Sequence, residues 1–362
     1  MKRFTIYEKA LDRCKQPFKA KLMHSVDLLR KAERIALMYD NTDGFYLAFS
    51  GGKDSQAIYH VAQLAGIKFK AHMSLTSVDP PQVIRFVKKR YPDVELIKPK
   101  MSMYDKAVEM GILPTMRVRW CCAEYKESAG AGKVTLIGVR AAESARRAKR
   151  HEVEVSSRKF SGDLEGFEAW SKAEIEKKTA KMKRKVNEDE FSVKSDNEVH
   201  CINGKDSILI SPIFQWTEVD VWYFLNEIMH VPHCELYDIG YRRVGCIICP
   251  MASKRGNMRN IKMFPHVKRG WIKAIKTIRA KGLQTCEMCS GAAQHKSEFK
   301  IPPTIRELWG NKINQSGDKK RQDEQLEDEI AEAIFDWWIS GKPYRQWYSE
   351  KCLQLALDFP YE

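Results

Sequence analysis

The stretch Tyr46–Ser55, "YLAFSGGKDS", constrains this chain most. An apolar run that breaks at two glycines and continues into a helix-forming segment reads as strand, tight turn, helix. "GFYLAFS" predicts a buried strand and "SQAIYHVAQLAG" a helix closed by Gly66. The alternation returns in the strand "FKAHMSLT", the helix "PPQVIRFVKKRYP", the strand "VELIKP", and later in "KVTLIGV" and "SILISPIF". Such alternation predicts an α/β fold: a parallel twisted sheet flanked by helices.

Helical additions are expected at both ends. Residues 1–40 form a helical N-terminal segment in which Val26, Leu29, Ala32, Ile35 and Ala36 fall on one stripe. Residues 41–253 form the central α/β domain, interrupted at about 154–206 by a Lys-, Glu-, Ser- and Asp-rich insertion read as a mobile loop or charged helical excursion. Residues 254–362 form a basic helical region whose Trp337, Trp338 and Trp347 suit packing, with stacking on bases as the alternative. With 362 residues and 43% hydrophobic composition the chain can bury a real core. No apolar run approaches the roughly 20 residues that span a membrane, and the N-terminus has no apolar core of signal-peptide type, so a cytoplasmic protein without a membrane partner is expected. A formal charge of +15 calls for a polyanionic partner, most simply nucleic acid, although charge also serves solubility. Ten cysteines in a reducing compartment point to metal or redox roles rather than disulfides.

A strand that enters "SGGKDS" and leaves as a helix points backbone N–H groups and the positive end of a helix dipole at whatever lies over Gly51 and Gly52. Two glycines alone serve a tight turn equally well; Lys53, Asp54 and Ser55 tilt the reading toward an anion site. Neither G-x-x-x-x-G-K-[ST] nor G-x-G-x-x-G is met. The segment does resemble the PP-loop of the N-type ATP pyrophosphatases, with Ser50, Gly51, Gly52, Lys53, Asp54 and Ser55 matching position by position. The resemblance implies an adenine nucleotide alpha hydrolase-like sheet and a loop that grips the pyrophosphate of ATP while the α-phosphate is attacked. In that chemistry Lys53 neutralises the phosphate chain, Ser55 donates a hydrogen bond, and Asp54 holds a Mg2+ ion.

"LIGVRAAESARR" places Gly138, Arg140, Glu143, Ser144 and Arg147 just after an apolar strand. Alone it reads as a helix start with surface charges. It resembles the G-x-R-x-x-[EQ]-S-x-x-R element of the sulfonucleotide reductase branch of the same superfamily, which implies arginines holding the nucleotide's acidic groups. Lys53, Asp54 and Arg140 are the catalytic candidates. "HCELYDIGYRRVGCIICP" is similar to the corresponding segment of assimilatory adenylylsulfate reductases and of DndC-type DNA phosphorothioation proteins, which pair its Cys-x-x-Cys with an upstream cysteine pair, here in "RWCCAEYKE". The resemblance implies a [4Fe–4S] cluster on Cys121, Cys122, Cys246 and Cys249. Thiolates suit zinc as well, but adjacent cysteines depart from the usual spacing of tetrahedral zinc sites. Cys286 and Cys289, with His295 nearby, admit three roles: a Zn site completed from elsewhere, a redox pair, or helix-turn cysteines. Cys14, Cys201, Cys234 and Cys352 are read as structural, and His233 as lining the nucleotide cleft.

The resemblance covers about residues 44–251. The C-terminal "ECG-(I/L)-H" that carries the reductases' nucleophile has no counterpart here, while "SGGKDS" is the ATP-using form of the loop. The sequence is therefore read as a PP-loop enzyme that cleaves ATP at the α-phosphate in a sulfur-transfer reaction, with a sulfur or electron donor protein and a nucleic acid as partners. The alternatives are a reductase taking adenylylsulfate (APS) or phosphoadenosine phosphosulfate (PAPS), and a nucleotide-sensing partner without catalysis.

Overall fold

The computed structural model describes residues 2–188, 201–202, 206–281, 319–343 and 346–351. The chain divides into two compact units, the first built from residues 1–74, 81–97 and 127–244, the second from 75–80, 98–126 and 245–362.

The first unit is a seven-stranded sheet in the order β3-β2-β1-β4-β7-β5-β6. Its strands are β1 (Phe45–Ala48), β2 (Phe69–Ser74), β3 (Glu95–Ile97), β4 (Val134–Leu136), β5 (Val153–Val155), β6 (Ser161–Gly162) and β7 (Ile208–Ile210). The five strands from β3 to β7 in that order pair in parallel. β5 and β6 run antiparallel at one edge, so the sheet is mixed where the sequence pattern predicted a parallel one. The signal for β5 was short: in "HEVEVSS" only Val153 and Val155 alternate inward, both buried.

Local chemistry explains the helices around the sheet. α1 (Lys2–Arg13) precedes α2 (Phe18–Tyr39), which buries the predicted stripe of Val26, Leu29, Ala32, Ile35 and Ala36. α3 (Lys53–Ala65) follows β1 and is stopped by Gly66 in the left-handed conformation, φ 71°, which costs glycine no steric penalty. α4 (Pro81–Arg90) leads to β3. Within the charged insertion a 25-residue helix, Leu164–Glu188, is anchored by buried Leu164 and Phe167.

Chain order and sheet order together locate the binding crevice. From β1 the chain proceeds outward to β2 and β3, then returns to β1's other side with β4. The sheet therefore reverses its winding between β1 and β4, and in open α/β sheets the carboxyl ends at such a switch point form the ligand crevice. The glycine turn leaves β1 and the Gly138–Arg140 segment leaves β4 at that place.

The second unit is helical. α5 (Met103–Met110), α10 (Lys254–Met263), α11 (Pro265–Ala280) and α12 (Lys319–Ser340) enclose Trp271, Phe335 and Trp338, all buried; between α5 and α10 in the chain come the short α6 (Trp120–Cys122) and, in the first unit, α7 (Ala145–Ala148), α8 (Leu164–Glu188) and α9 (Glu218–Tyr223). The Trp271 and Trp338 rings lie 4.8 Å apart, and Trp338 Nε1 donates to the Pro114 carbonyl at 2.5 Å. Trp338 and Trp347 are thus packing residues, and Trp337 is half-buried against the same core. No helix among the described residues is long and apolar enough to cross a membrane.

A buried polar chain runs behind α3. His60 meets Gln63 Oε1 and Tyr91 Oη, both at 3.0 Å, while Gln56 Nε2 donates to Tyr91 Oη at 2.8 Å. Burial pushes the His60 imidazole from 6.5 down to about 4, so the folded protein keeps it neutral. Between pH 6.5 and 4 the unfolded chain binds this proton and the folded chain does not, so stability falls as pH falls through that window, by up to about 3 kcal/mol. Urea unfolding from pH 7 to 4 is expected to show a shallower loss in His60→Gln than in the native chain; an unchanged slope would mean His60 charges freely in the fold.

Candidate functional site: a glycine turn and an arginine cluster

The turn after β1 is possible only with glycine at its apex. Gly51 has φ 70°, and a Cβ there would sit 2.7 Å from Val83 Cγ1 and 2.8 Å from Val87 Cγ2 on α4. Gly52 caps α3 with extended backbone, and the first N–H groups of the helix have no partner within it. Ser55 Oγ donates to the Gly52 carbonyl at 2.8 Å and receives Ser50 Oγ at 3.2 Å, which fixes the loop from inside. The two serines expected to touch phosphate are therefore also part of the loop's own framework.

Lys53 is only 1% exposed, an expensive position for an ammonium without partners. Its Nζ donates to the Arg242 carbonyl at 2.8 Å, lies 3.4 Å from Glu218 and 3.8 Å from Asp54, and sits 5.7 Å above the Tyr237 ring. Its backbone N–H donates to Tyr237 Oη at 2.9 Å. Val244 also presents its backbone N–H to that hydroxyl. The segment from Tyr237 to Val244 is thus laid directly against the turn, and Val244 Cγ2 would be 3.2 Å from a Cβ at Gly52.

The β4 loop meets the turn from the other side. A Cβ on Gly138 would fall 3.1 Å from the Asp54 backbone, so glycine permits this approach. Arg140, buried, donates from Nε to Asp54 Oδ1 at 2.7 Å. Glu143 pairs with Arg147 and lies 3.4 Å from Arg243 and 4.0 Å from Arg140. One carboxylate thus faces three guanidinium groups. Burial, then the fields of Arg243 and Arg150, push Arg147 down to about 10, as expected where positive charge exceeds its counter-ions. Ser144 caps the short helix Ala145–Ala148 by accepting the Arg147 N–H at 3.2 Å. The structure therefore brings together every residue predicted from the turn and from the β4 loop.

Sequence reasoning did not single out Tyr237, Glu218, Arg242 or Arg243 as site residues. "LYDIGYRR" carried the signal for three of them, but only the fold lays that segment on Lys53. Glu218 lies in the first turn of α9 (Glu218–Tyr223) and has no motif of its own. His233 pairs with Asp238 at 2.8 Å and stacks edge-on against Trp222 and Tyr237, which makes it a support for Tyr237.

The cysteine quartet lies within the second unit. Cys121 and Cys122 sit on a short helical turn that continues as a π-turn, Ala123–Glu127. Cys121 hydrogen-bonds to Cys122, and the charges of Cys246 and Cys249 reach Cys121. That bond, followed by the Arg119 hydrogen bond and the Arg119 and Lys126 charges, outweighs burial and pushes Cys122 down to about 5. Cys121 moves up, because it donates the bond and is buried, and burial moves Cys249 up. Arg119 donates to Cys122 Sγ at 3.1 Å, Lys126 donates to Cys246 Sγ at 3.3 Å, and Thr76 Oγ1 lies 3.5 Å from the same sulfur. Cations and hydrogen-bond donors thus surround thiols, the environment that favours thiolate ligands. Among the described residues no three His, Cys, Asp or Glu side chains converge tightly enough to hold one metal ion. Cys286, Cys289, His295 and Cys352 lie outside the described residues. Cys14, Cys201 and Cys234 have structural surroundings: Cys14 donates to the Ala10 carbonyl, Cys201 pairs with Tyr39, and Cys234 is buried.

The protein MJ0973 of Methanocaldococcus jannaschii, itself described only as uncharacterized, is 26% identical over 277 residues, 75% of this chain and 56% of that protein. A second protein of that organism, MJ0066, also described as uncharacterized, is 37% identical over 79 residues, 21% of this chain and 16% of that protein. The chain thus spans little more than half the length of one curated relative and a small part of the other. Among solved structures, the phosphoadenylyl-sulfate (PAPS) reductase from Candida auris in its phosphate complex is 18% identical and covers 61% of this chain and 93% of its own, with TM-score 0.34. The FMN adenylyltransferase of Candida glabrata with FAD and inorganic pyrophosphate is 12% identical, covers 68% of this chain and 70% of its own, and gives TM-score 0.39. The family model of the phosphoadenosine phosphosulfate reductase domain matches residues 44–252, more than half of the chain. The chain belongs to that family.

Proposed function

We propose that the turn of Ser50–Ser55 binds the phosphate chain of ATP and that the protein cleaves ATP at the α-phosphate to drive a sulfur transfer. The observation that carries the reading is the state of Lys53: a nearly inaccessible ammonium at the start of α3, beside a cluster of arginines that share one carboxylate. Such a site is preorganised for a polyanion and gains most when one arrives.

The roles follow from position. Lys53 and the N–H groups of α3 take the β- and γ-phosphates, which become the leaving pyrophosphate. Arg140 fixes Asp54 through a 2.7 Å bond, leaving the second carboxylate oxygen to hold Mg2+, whose charge offsets that of the phosphates. Arg147 and Arg243 neutralise the nucleotide's remaining acidic groups. An acceptor oxygen attacks the α-phosphorus in line, the bond to the β-phosphate oxygen breaks, and pyrophosphate leaves into the turn. A sulfur nucleophile from a donor protein then displaces AMP from the adenylylated acceptor. Cys121, Cys122, Cys246 and Cys249 would hold a [4Fe–4S] group supplying sulfur or electron chemistry. The second reading, an APS or PAPS reductase that releases sulfite, draws support from the family match. A catalytically silent nucleotide sensor would bind ATP and release no pyrophosphate.

Melting of the anaerobically purified protein with ATP plus magnesium, APS and PAPS in turn separates the first two readings, since a ligand at about one hundred times its Kd raises stability by about 2.7 kcal/mol. The expected preference is ATP, with pyrophosphate released on turnover. In Lys53→Met, which keeps the buried stem but removes the charge, the fold is expected to persist while ATP protection and pyrophosphate release disappear. Unaltered pyrophosphate release in that variant would refute the proposed loop chemistry. Tyr237 Oη accepts backbone N–H groups and keeps its own proton to donate, so Tyr237→Phe is expected to weaken ATP binding about tenfold, near 1.4 kcal/mol, by isothermal titration. Anaerobic iron analysis should return about four irons per chain, reduced in Cys246→Ser; a colourless protein carrying one zinc would overturn the cluster assignment.

A further inference from the structure

The segment from Met251 to Lys281 contains no Asp or Glu. Its cations are not treated alike by the fold. On the side facing α12, Lys268 pairs with Glu332 at 2.6 Å, Arg279 pairs with Glu327 at 3.1 Å, and Lys276 pairs with Asp328. Arg255 and Lys262 of α10 and Arg269 and Lys273 of α11 are exposed and form no ion pair among the described residues. The acidic residues of α12 thus neutralise three cations of α11 and leave these four charged.

The outer row on α10 is regular. Arg255, Met258, Arg259, Lys262 and Met263 follow one another at spacings of three and one, which places them on a single helix face. They line a shallow, open depression on that face. Met258 is 42% exposed and Met263 37%. The helix is fixed rather than loosely attached: Ser253 caps it by accepting the Gly256 N–H at 3.1 Å, and buried Asn257 donates to the Cys249 carbonyl at 3.0 Å.

We infer that the exposed cations of α10 and α11 bind the phosphodiester backbone of a nucleic acid. Guanidinium and ammonium groups in a row along a rigid helix match a regular series of phosphates. The methionines offer soft, adaptable contact to sugars and base faces between them. The chain's charge of +15 points the same way and steers a polyanion to this face. The inference does not depend on the reaction at the glycine turn, so binding is measured without ATP.

The test is fluorescence anisotropy of the full chain with labelled oligonucleotides of about 24 residues, as duplex DNA, single-stranded DNA and single-stranded RNA, across about 50 to 200 mM salt. Binding is expected to fall steeply with salt, and the preferred oligonucleotide names the source of the backbone. In Arg255→Ala/Lys262→Ala the log–log salt slope on duplex DNA should become shallower by about 2, with a loss of about tenfold or more in affinity at intermediate salt. Arg269→Ala/Lys273→Ala, on a separate helix, should shift in the same direction, and it carries the test if the first variant melts below the native chain. Absence of binding at the lowest salt, an unchanged slope in a folded variant, or displacement of the oligonucleotide by an equal charge of polyglutamate would each overturn the inference, the last in favour of an acidic protein surface.

Discussion

The ion pair between Arg140 and Asp54 ties the two loops on which the first unit's site depends. One loop leaves β1, the other leaves β4, and the sheet reverses direction between them. Removing either partner would strand a largely buried charge, a loss of the order of 3 to 5 kcal/mol in buried pairs, whereas the intact pair carries little net stability. Its value lies in geometry: Asp54 cannot turn away from the crevice while Arg140 holds it. Gly138 permits the approach because any side chain there would press on the Asp54 backbone.

Around that pair the site is charged in a particular way. Lys53 has lost its hydration and receives in exchange one carbonyl, two carboxylates at longer range and an aromatic face. Three arginines share Glu143. The arginine cluster leaves positive charge in excess, on which the proposed binding of an oligophosphate rests. In the second unit Arg119 stands beside Cys122 and Lys126 beside Cys246, and the bonds and charges around Cys122 favour its thiolate. On α11, Lys268, Lys276 and Arg279 find carboxylates on α12, while Arg269 and Lys273 form no ion pair among the described residues.

Much of this was legible in the chain because the requirements are local. Apolar runs broken by glycine gave β1, β2, β4 and β7. Helical spacing gave the buried stripe of α2, and Gly66 gave the end of α3. β5 escaped because two inward valines are too short a period, and its pairing with β7 is settled across more than fifty residues of chain. Trp338 read correctly as packing, but its bond to the Pro114 carbonyl, 224 residues away, has no local trace.

The sequence by itself determined the α/β alternation, the glycine turn and the identity of the charged and sulfur-bearing groups, because backbone preference and periodicity act over a few neighbouring residues. Only the tertiary structure decided which of those groups meet. It laid Tyr237 and the Arg242 carbonyl on Lys53, joined Arg140 to Asp54, and chose which cations of α10 and α11 find carboxylates on α12. These pairings are set by long-range packing, in which each contact is fixed by the whole core and not by the residues beside it in the chain.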